Sequence, residues 1–325
     1  MDRALVAVKG FLADESEFGI PRWYLSTGNL ALDYIISGRV DGTGGWPGGR
    51  LVEIFGDPST GKSLLIAMAI KQMQDTGGLI ALADVENRWD SDFARIHGVD
   101  QGKIAPLVPR TIEEFGIIAI DLLEACIREK VPKVLLCLDS VAALSTEWEL
   151  ENKGVKEDQG KRAKKLHAVV GRVLPGLLAK SNGLMIVSNH IIQNPNITYG
   201  SNRMTPGGKA LPFQSSVRLE LLSTEKIKIE GKERVVGNTL HCVCAKNSIQ
   251  PPYGEAFIDL YWGDGVDRYS GLLNIAVDLD IVKRGGGWYE FQDKKFRGSD
   301  FGKFVEEHPE VLTHEAWANP YFKRR

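Results

Sequence analysis

Leu51-Val-Glu-Ile-Phe-Gly-Asp-Pro-Ser-Thr-Gly-Lys-Ser63, continued by the apolar run Leu64-Leu-Ile-Ala-Met-Ala-Ile70, decides the fold class of this 325-residue chain. It reads as a buried strand, a turn of the form G-x-x-x-x-G-K-S, and a helix. Gly56 and Gly61 allow the backbone to fold so that the loop Asp57, Pro58, Ser59, Thr60 presents N–H groups to a polyphosphate. Lys62 adds positive charge near the β- and γ-phosphates, and the Ser63 hydroxyl is placed to bind Mg²⁺. The helix that opens with Lys62, Ser63 and Leu64 directs the positive end of its dipole at the same anion. An ordinary glycine-rich turn is the alternative, and the flanking strand and helix weigh against it.

Outward from this stretch, apolar runs of strand length recur at Leu79-Ile-Ala-Leu-Ala-Asp84, 103–109, Lys133-Val-Leu-Leu-Cys-Leu-Asp139 and Gly183-Leu-Met-Ile-Val-Ser-Asn189. Between them, helical spacing is visible at 62–75, 112–130 and 160–180, and Asn29 is a candidate cap for a short helix after it. This alternation predicts an α/β fold with a mixed, mostly parallel sheet covered on both faces. From residue 217 onward the period changes to two, which predicts antiparallel strands that extend the sheet. Residues 1–20 read as an arm for subunit contact, 21–268 as the core, and 269–325 as a small α+β unit with a hairpin at Trp288-Tyr-Glu-Phe-Gln-Asp-Lys-Lys-Phe.

A hydrophobic content of 43% is enough for a large core, and the net charge of −2 gives no global pull toward nucleic acid or membrane. Any nucleic-acid surface must therefore be local. Cys126, Cys137, Cys242 and Cys244 lie in apolar or alternating runs without zinc spacing, which predicts reduced, buried thiols. With no signal-peptide core and no 18-residue apolar run, a soluble protein without membrane contact, in the cytoplasm, is expected.

Two carboxylates complete the chemistry. Leu135-Leu-Cys-Leu-Asp139 puts an acid at a strand's C-terminal tip, on the edge where open α/β sheets bind ligands, so Asp139 is expected to hold Mg²⁺ together with Ser63. Mere helix capping is the alternative for Asp139. Glu86, just past the strand ending at Asp84 and expected beside the phosphate loop, is the candidate for polarising water; a surface ion pair is its alternative. Lys153, Lys156, Lys161, Arg162, Lys164 and Lys165 concentrate positive charge within 153–165, suited to tracking phosphates or to forming a solvated helix face. The polar segment 191–205 is long for a structureless loop, and Ile192, Ile197, Tyr199 and Met204 are suited to contacting bases, with Arg203 for phosphate.

Ser26-Thr-Gly, Gly49-Arg-Leu-Val-Glu-Ile-Phe-Gly-Asp-Pro-Ser-Thr-Gly-Lys-Ser, Ala94-Arg-Ile-His-Gly-Val-Asp100, Leu138-Asp-Ser-Val-Ala-Ala-Leu144, Gly207-Gly-Lys-Ala-Leu, Ser216-Val-Arg-Leu and Lys246-Asn occur in one order from about residue 24 to 289. They resemble the RecA family of homologous recombinases, bacterial RecA and phage strand-exchange proteins of the UvsX type. The resemblance implies a RecA-type ATPase core that uses ATP and Mg²⁺, forms helical homopolymers on single-stranded DNA, pairs it with double-stranded DNA and exchanges strands. It implies single-strand-binding and mediator proteins as further partners, and a host cytoplasm if the chain is viral. By resemblance Glu86 is the catalytic glutamate, assisted by Lys62 and Lys246; Asp90, Phe93 and, across a one-residue insertion at Trp262, Tyr261 border adenine. The two DNA loops would be 149–161 and 191–205, with Arg172, Gly207 and Gly208 on the same surface, and Phe213, Arg218 and Lys246 would reach a neighbouring subunit. The family's γ-phosphate-sensing glutamine is replaced here by His190 after Asn189, as in the UvsX type, and Lys-Asn-Lys by Lys246-Asn-Ser248. Imidazole can still donate to a phosphate oxygen, and the substitution would make that contact sensitive to pH. The rival reading is a ring-forming RecA-fold motor or accessory ATPase, helicase-like or RadA-like, whose appended domains are not visible in the sequence.

Overall fold

The apolar runs form the centre of a nine-stranded sheet in the computed structural model, which describes residues 19–152, 158–193, 203–229, 231 and 233–318. The first 18 residues of the expected arm, and Lys153, Lys156, Ile197 and Tyr199 of the expected DNA loops, lie outside the described residues, as does the side chain of Arg203. In chain order the sheet contains β1 Leu51–Gly56, β2 Leu79–Asp84, β3 Ala105–Leu107, β4 Val134–Asp139, β5 Gly183–His190, β6 Val217–Lys228, β7 Val235–Asn247, β8 Glu255–Tyr261 and β9 Gly265–Val266. The spatial order is β9-β8-β7-β6-β1-β5-β4-β2-β3. The six strands from β6 to β3 are parallel neighbours, and β7, β8 and β9 add on antiparallel. The predicted α/β class with a mixed, mostly parallel sheet is the observed one. One adjacency differs: β2 lies three places from β1, with β5 and β4 between them, so the residues after β2 reach the phosphate loop across two strand tips.

Helices α1 Leu30–Ser37, α2 Lys62–Thr76, α3 Ile112–Arg128, α4 Gln159–Leu166 and α5 Leu174–Ser181 cover the sheet. Asn29 caps α1 through its side-chain oxygen, which accepts from Leu32 N. Alternation along β4 separates the two faces: Leu135 and Cys137 join the apolar cluster of α1 and α2, and Leu136 and Leu138 that of α3 and α5. The helix expected over 160–180 is interrupted by a wider π turn at His167–Val173. Pro175 stands at the second position of α5; it lacks the N–H that would bond to Gly171 and its ring crowds that turn, so the helix widens before resuming as α5. All four cysteines are free and buried. Among the described residues no helix is long and apolar enough to cross a membrane, and no group of three or more His, Cys, Asp or Glu could hold a metal ion.

The C-terminal residues form the helix Leu272–Asp278, a three-stranded antiparallel sheet of β10 Lys283–Gly285, β11 Trp288–Phe291 and β12 Lys294–Phe296, and the helix Phe301–Glu307. The expected hairpin is thus two strands of a small sheet. Phe291, Phe296, Phe304 and Trp317 belong to the same buried cluster as α1, and the Tyr34 and Trp317 rings meet edge-on with centroids 5.0 Å apart.

Candidate active site

β1 ends at Gly56, and the loop that follows enters α2 through Gly61, whose φ of 89° lies in the left-handed region that a Cβ disfavours. Thr60 Oγ1 donates to Asp57 O at 2.9 Å, closing the loop on itself. Lys62 Nζ donates to Gly56 O (3.1 Å) and Asp57 O (2.8 Å), so the ammonium stands at the loop's mouth. Burial lowers the Lys62 pKa, against the charges of Asp139, Glu86 and Asp57, which raise it. A cleft of about 330 Å³ opens over the loop and is lined by Ser59 through Leu64, Glu86, Phe93, Asp139 and His190, among others.

Strand tips bring the acids to this cleft. Asp139 ends β4, is 7% exposed, and accepts from Ser188 Oγ of the neighbouring β5. Past the end of β2, Val85 N and Glu86 N both donate to Asp139 O (2.8 and 3.3 Å), which draws Glu86 across to the β4 tip. The Asp139–Ser140 peptide is cis. Glu86 Oε1 accepts from Ser140 Oγ and lies 2.8 Å from His190 Nε2, while Oε2 lies 3.1 Å from Arg88 Nε. Burial works to raise the Glu86 pKa. The hydrogen bonds from Ser140 and His190 and the charges of His190 and Arg88 outweigh burial and hold it below the ordinary glutamate range. The carboxylate is therefore kept ionised, the state a group must be in to accept a proton from water.

Ser63 and Asp139 line the same cleft as Lys62. One hydroxyl and one carboxylate suit Mg²⁺, which takes much of its octahedral shell from phosphate and water rather than from a protein cage. Of the three residues expected to border adenine, Phe93 lines the cleft. Asp90 Oδ1 accepts from Phe93 N and caps the short helix Ser91–Ile96, and neither Asp90 nor Tyr261 lines the cleft. The apolar and aromatic part of the cleft wall includes Phe93, Ile96, His97, Leu260 and Trp262, with Trp262 rather than its neighbour Tyr261 facing it.

Asn189 is fully buried behind His190. Its Nδ2 donates to Glu53 Oε1 (3.0 Å) and to Pro206 O (3.2 Å), and its Oδ1 accepts from His190 N (3.0 Å). Glu53, in the middle of β1 and 0% exposed, also holds Arg218 Nε through Oε2, and Arg218 Nη2 lies 3.4 Å from Thr205 Oγ1. The phosphate edge and the base of the 191–205 segment are thus joined by one chain of buried polar contacts. Lys246 sits opposite Arg218 across β6 and β7, and its Nζ donates to Pro212 O and Phe213 O (3.0 and 2.6 Å). Burial, with the Arg218 charge, lowers its pKa against the pull of Glu53. Phe213 is 64% exposed on the short helix Ala210–Gln214. None of Phe213, Arg218 and Lys246 lines the cleft over the phosphate loop.

On the remaining basic residues the structure is specific. Lys161, Lys164, Lys165 and Arg172 are exposed. Lys161 Nζ lies 3.4 Å over the Trp148 ring, and Lys165 pairs with Glu113 at 3.1 Å. Arg162 turns inward instead, donating to Ala142 O and Leu144 O beside Glu149, so its guanidinium ties α4 to the segment after β4. Gly207 and Gly208 have φ of 91° and 71°, and a Cβ would come within 2.5 Å of Leu166 Cδ2 and 2.8 Å of Ala163 Cβ. The pair therefore lets the base of the second segment lie against α4. Arg88, Ser140, Ser188, Glu53 and Trp262 were not singled out from the sequence for this site. Ser140, Ser188 and Trp262 stand next to residues that were; Glu53 and Ser188 meet their partners only through strand pairing.

Comparison with known proteins agrees with this geometry. The model of the RecA N-terminal domain matches residues 12–267. Protein RecA of Chloroherpeton thalassium is 34% identical over 308 residues, 94% of this chain and 82% of that protein. Protein RecA of Halalkalibacterium halodurans is 35% identical over 289 residues, 88% of this chain and 79% of that protein. Protein RecA of Ruminococcus albus is 34% identical over 291 residues, 89% of this chain and 70% of that protein. A match that runs through phosphate loop, both strand-tip acids and the antiparallel extension makes the assignment: this chain belongs to the RecA family of DNA-dependent ATPases that act as recombinases in DNA repair.

Proposed function

We propose that this chain polymerises on single-stranded DNA and, with ATP held between neighbouring copies, carries out homologous pairing and strand exchange with a duplex. The observation that carries this reading is the continuous set of contacts from Glu86 through His190 and Asn189 to Pro206, which links a hydrolytic cleft to the base of a long polar segment. In it, residues 56–64 cradle the triphosphate, Glu86 orients water, and the ring of Phe93 borders the base with Trp262. Ser63 and Asp139 would hold Mg²⁺, which when bound neutralises phosphate charge. Lys161, Lys164, Lys165 and Arg172 present positive charge to the DNA backbone.

Phe213, Arg218 and Lys246 stand outside the chain's own cleft, so they can serve a nucleotide only on an adjoining copy, where Lys246 would leave its carbonyl partners for the γ-phosphate. His190 would report the γ-phosphate to the 191–205 segment through Asn189. The expected domain division at residue 269 enters here as a unit that shares the core's cluster while presenting its own small sheet.

Lys62→Ala should abolish ATP-dependent DNA affinity. Electron microscopy of the wild-type chain with single-stranded DNA and a non-hydrolysable ATP analogue should show helical filaments that the variant does not form. Rings in place of filaments would establish the motor reading instead, and normal ATP-dependent filaments from Lys62→Ala would sink the scheme.

A further inference from the structure

Arg88, so far only a charge beside Glu86, lines the nucleotide cleft with Lys62, Glu86 and Asp139. Its position follows from the backbone. Asn87, at φ 52°, takes the left-handed conformation that asparagine tolerates better than most residues, and this turn lies between Glu86 and Arg88. Both side chains reach the same cleft as a result.

Among the described residues, the hydrogen-bonding and ion-pair partner of Arg88 is Glu86, at 3.1 Å through Nε. A guanidinium carries five N–H donors in a fixed fork, so most of its donors are not used by that contact. The side chain is 71% exposed, which means it is not packed into the fold and costs little to swing. Its charge is felt at Lys62, which places it in the field of the phosphate site.

We propose that Arg88 is a catalytic cation acting within its own chain, contacting the γ-phosphate of the bound triphosphate and stabilising the charge that develops there during hydrolysis. The inference rests on the reading of this cleft as the ATP site. In the reaction, the water oxygen bonds to the γ-phosphorus and the bond to the β–γ bridging oxygen breaks. The electron pair leaves with ADP, and the water proton passes to Glu86 and from there to solvent or phosphate. A γ-phosphate carries more charge than one carboxylate and offers geometry for two parallel N–H···O bonds, so it competes for the guanidinium. When Arg88 moves to it, Glu86 loses its partner at Oε2 and gains that oxygen for water. One residue then stabilises the transition state and releases the base.

Arg88→Ala and Arg88→Lys test this, because an exposed side chain can be changed without loss of fold. DNA-stimulated hydrolysis, ADP affinity and affinity for ADP with aluminium fluoride, a mimic of the transferring phosphoryl group, are measured on the full chain. Arg88→Ala should lower kcat by about 10²-fold and weaken ADP–aluminium fluoride binding by a similar factor, the lower end of what loss of one transition-state donor costs. ADP affinity should stay within about threefold, and Arg88→Lys should recover part of the loss, since it keeps charge without the fork. Unchanged kcat and unchanged aluminium fluoride complex would overturn the proposal. So would a parallel loss of ADP affinity, which marks ground-state binding, or a shifted acid limb of the pH profile with the aluminium fluoride complex intact, which marks mere positioning of Glu86. Failure of the wild-type chain to bind ADP at all would sink the ATP-site reading rather than the role of Arg88.

Discussion

At the scale of single residues, three neighbours settle the protonation of Glu86, the base in the proposed hydrolysis. Burial alone would raise its pKa, but donors from Ser140 and His190 and the charges of His190 and Arg88 reverse the sign. With the folded-state value below the ordinary 4.5, the ionised form is favoured and stabilising above that pH, and the benefit is lost as pH falls through the depressed value. The acid limb of the kcat/KM profile, which reports the free enzyme, should therefore lie below pH 4.5, and Ser140→Ala should move it upward, as read from kcat/KM against pH with folding monitored in parallel. An unmoved limb would show that Ser140 does not tune the base. Gly56, Lys62, Ser63, Asp139 and Glu86 were legible because the phosphate loop and the strand-tip acids are short-range patterns. Ser140 was not, because a contact between residues 54 apart has no signature in spacing, and neither was Arg88, whose reach into the cleft depends on the left-handed turn at Asn87.

Among the elements, β1 does more than lead into the phosphate loop. Glu53 pairs in register with Arg218 of β6, and its carboxylate is shared between that guanidinium and Asn189 at the end of β5. Three parallel strands are thereby tied by one buried charge. Glu53→Gln keeps the shape but leaves Arg218, whose side chain is 17% exposed, without its counter-charge. Breaking a buried pair from one side should cost about 3–5 kcal/mol, measurable by denaturant unfolding. A cost within the range of a surface substitution would show that water reaches the pair. The helix over 160–180 shows the limit of reading elements from apolar spacing: the stripe was right in length, but a proline in mid-helix imposed a wider turn that the stripe does not encode.

For the whole molecule, the C-terminal unit reads as separate in sequence and joins the core in space. Trp317 is 5% exposed, donates Nε1 to Val311 O at 2.7 Å and packs on Tyr34, nearly 300 residues earlier. Trp317→Ala should cost about 3–5 kcal/mol and leave a single unfolding transition in denaturant monitored by two probes, since the cluster is continuous. Two separated transitions would show that the small sheet folds on its own. The sequence by itself determined the class of fold, the phosphate loop, the two acids and the family, because periodicities of 2 and 3.6 and a G-x-x-x-x-G-K-S turn are set by residues adjacent along the chain. The tertiary structure decided the strand order that separates β2 from β1, the seating of Trp262 rather than Tyr261 at the cleft, the inward turn of Arg162 and the Glu53 network. Each of these depends on which distant strands lie side by side, and that is fixed by the packing of both sheet faces at once rather than by any local stretch.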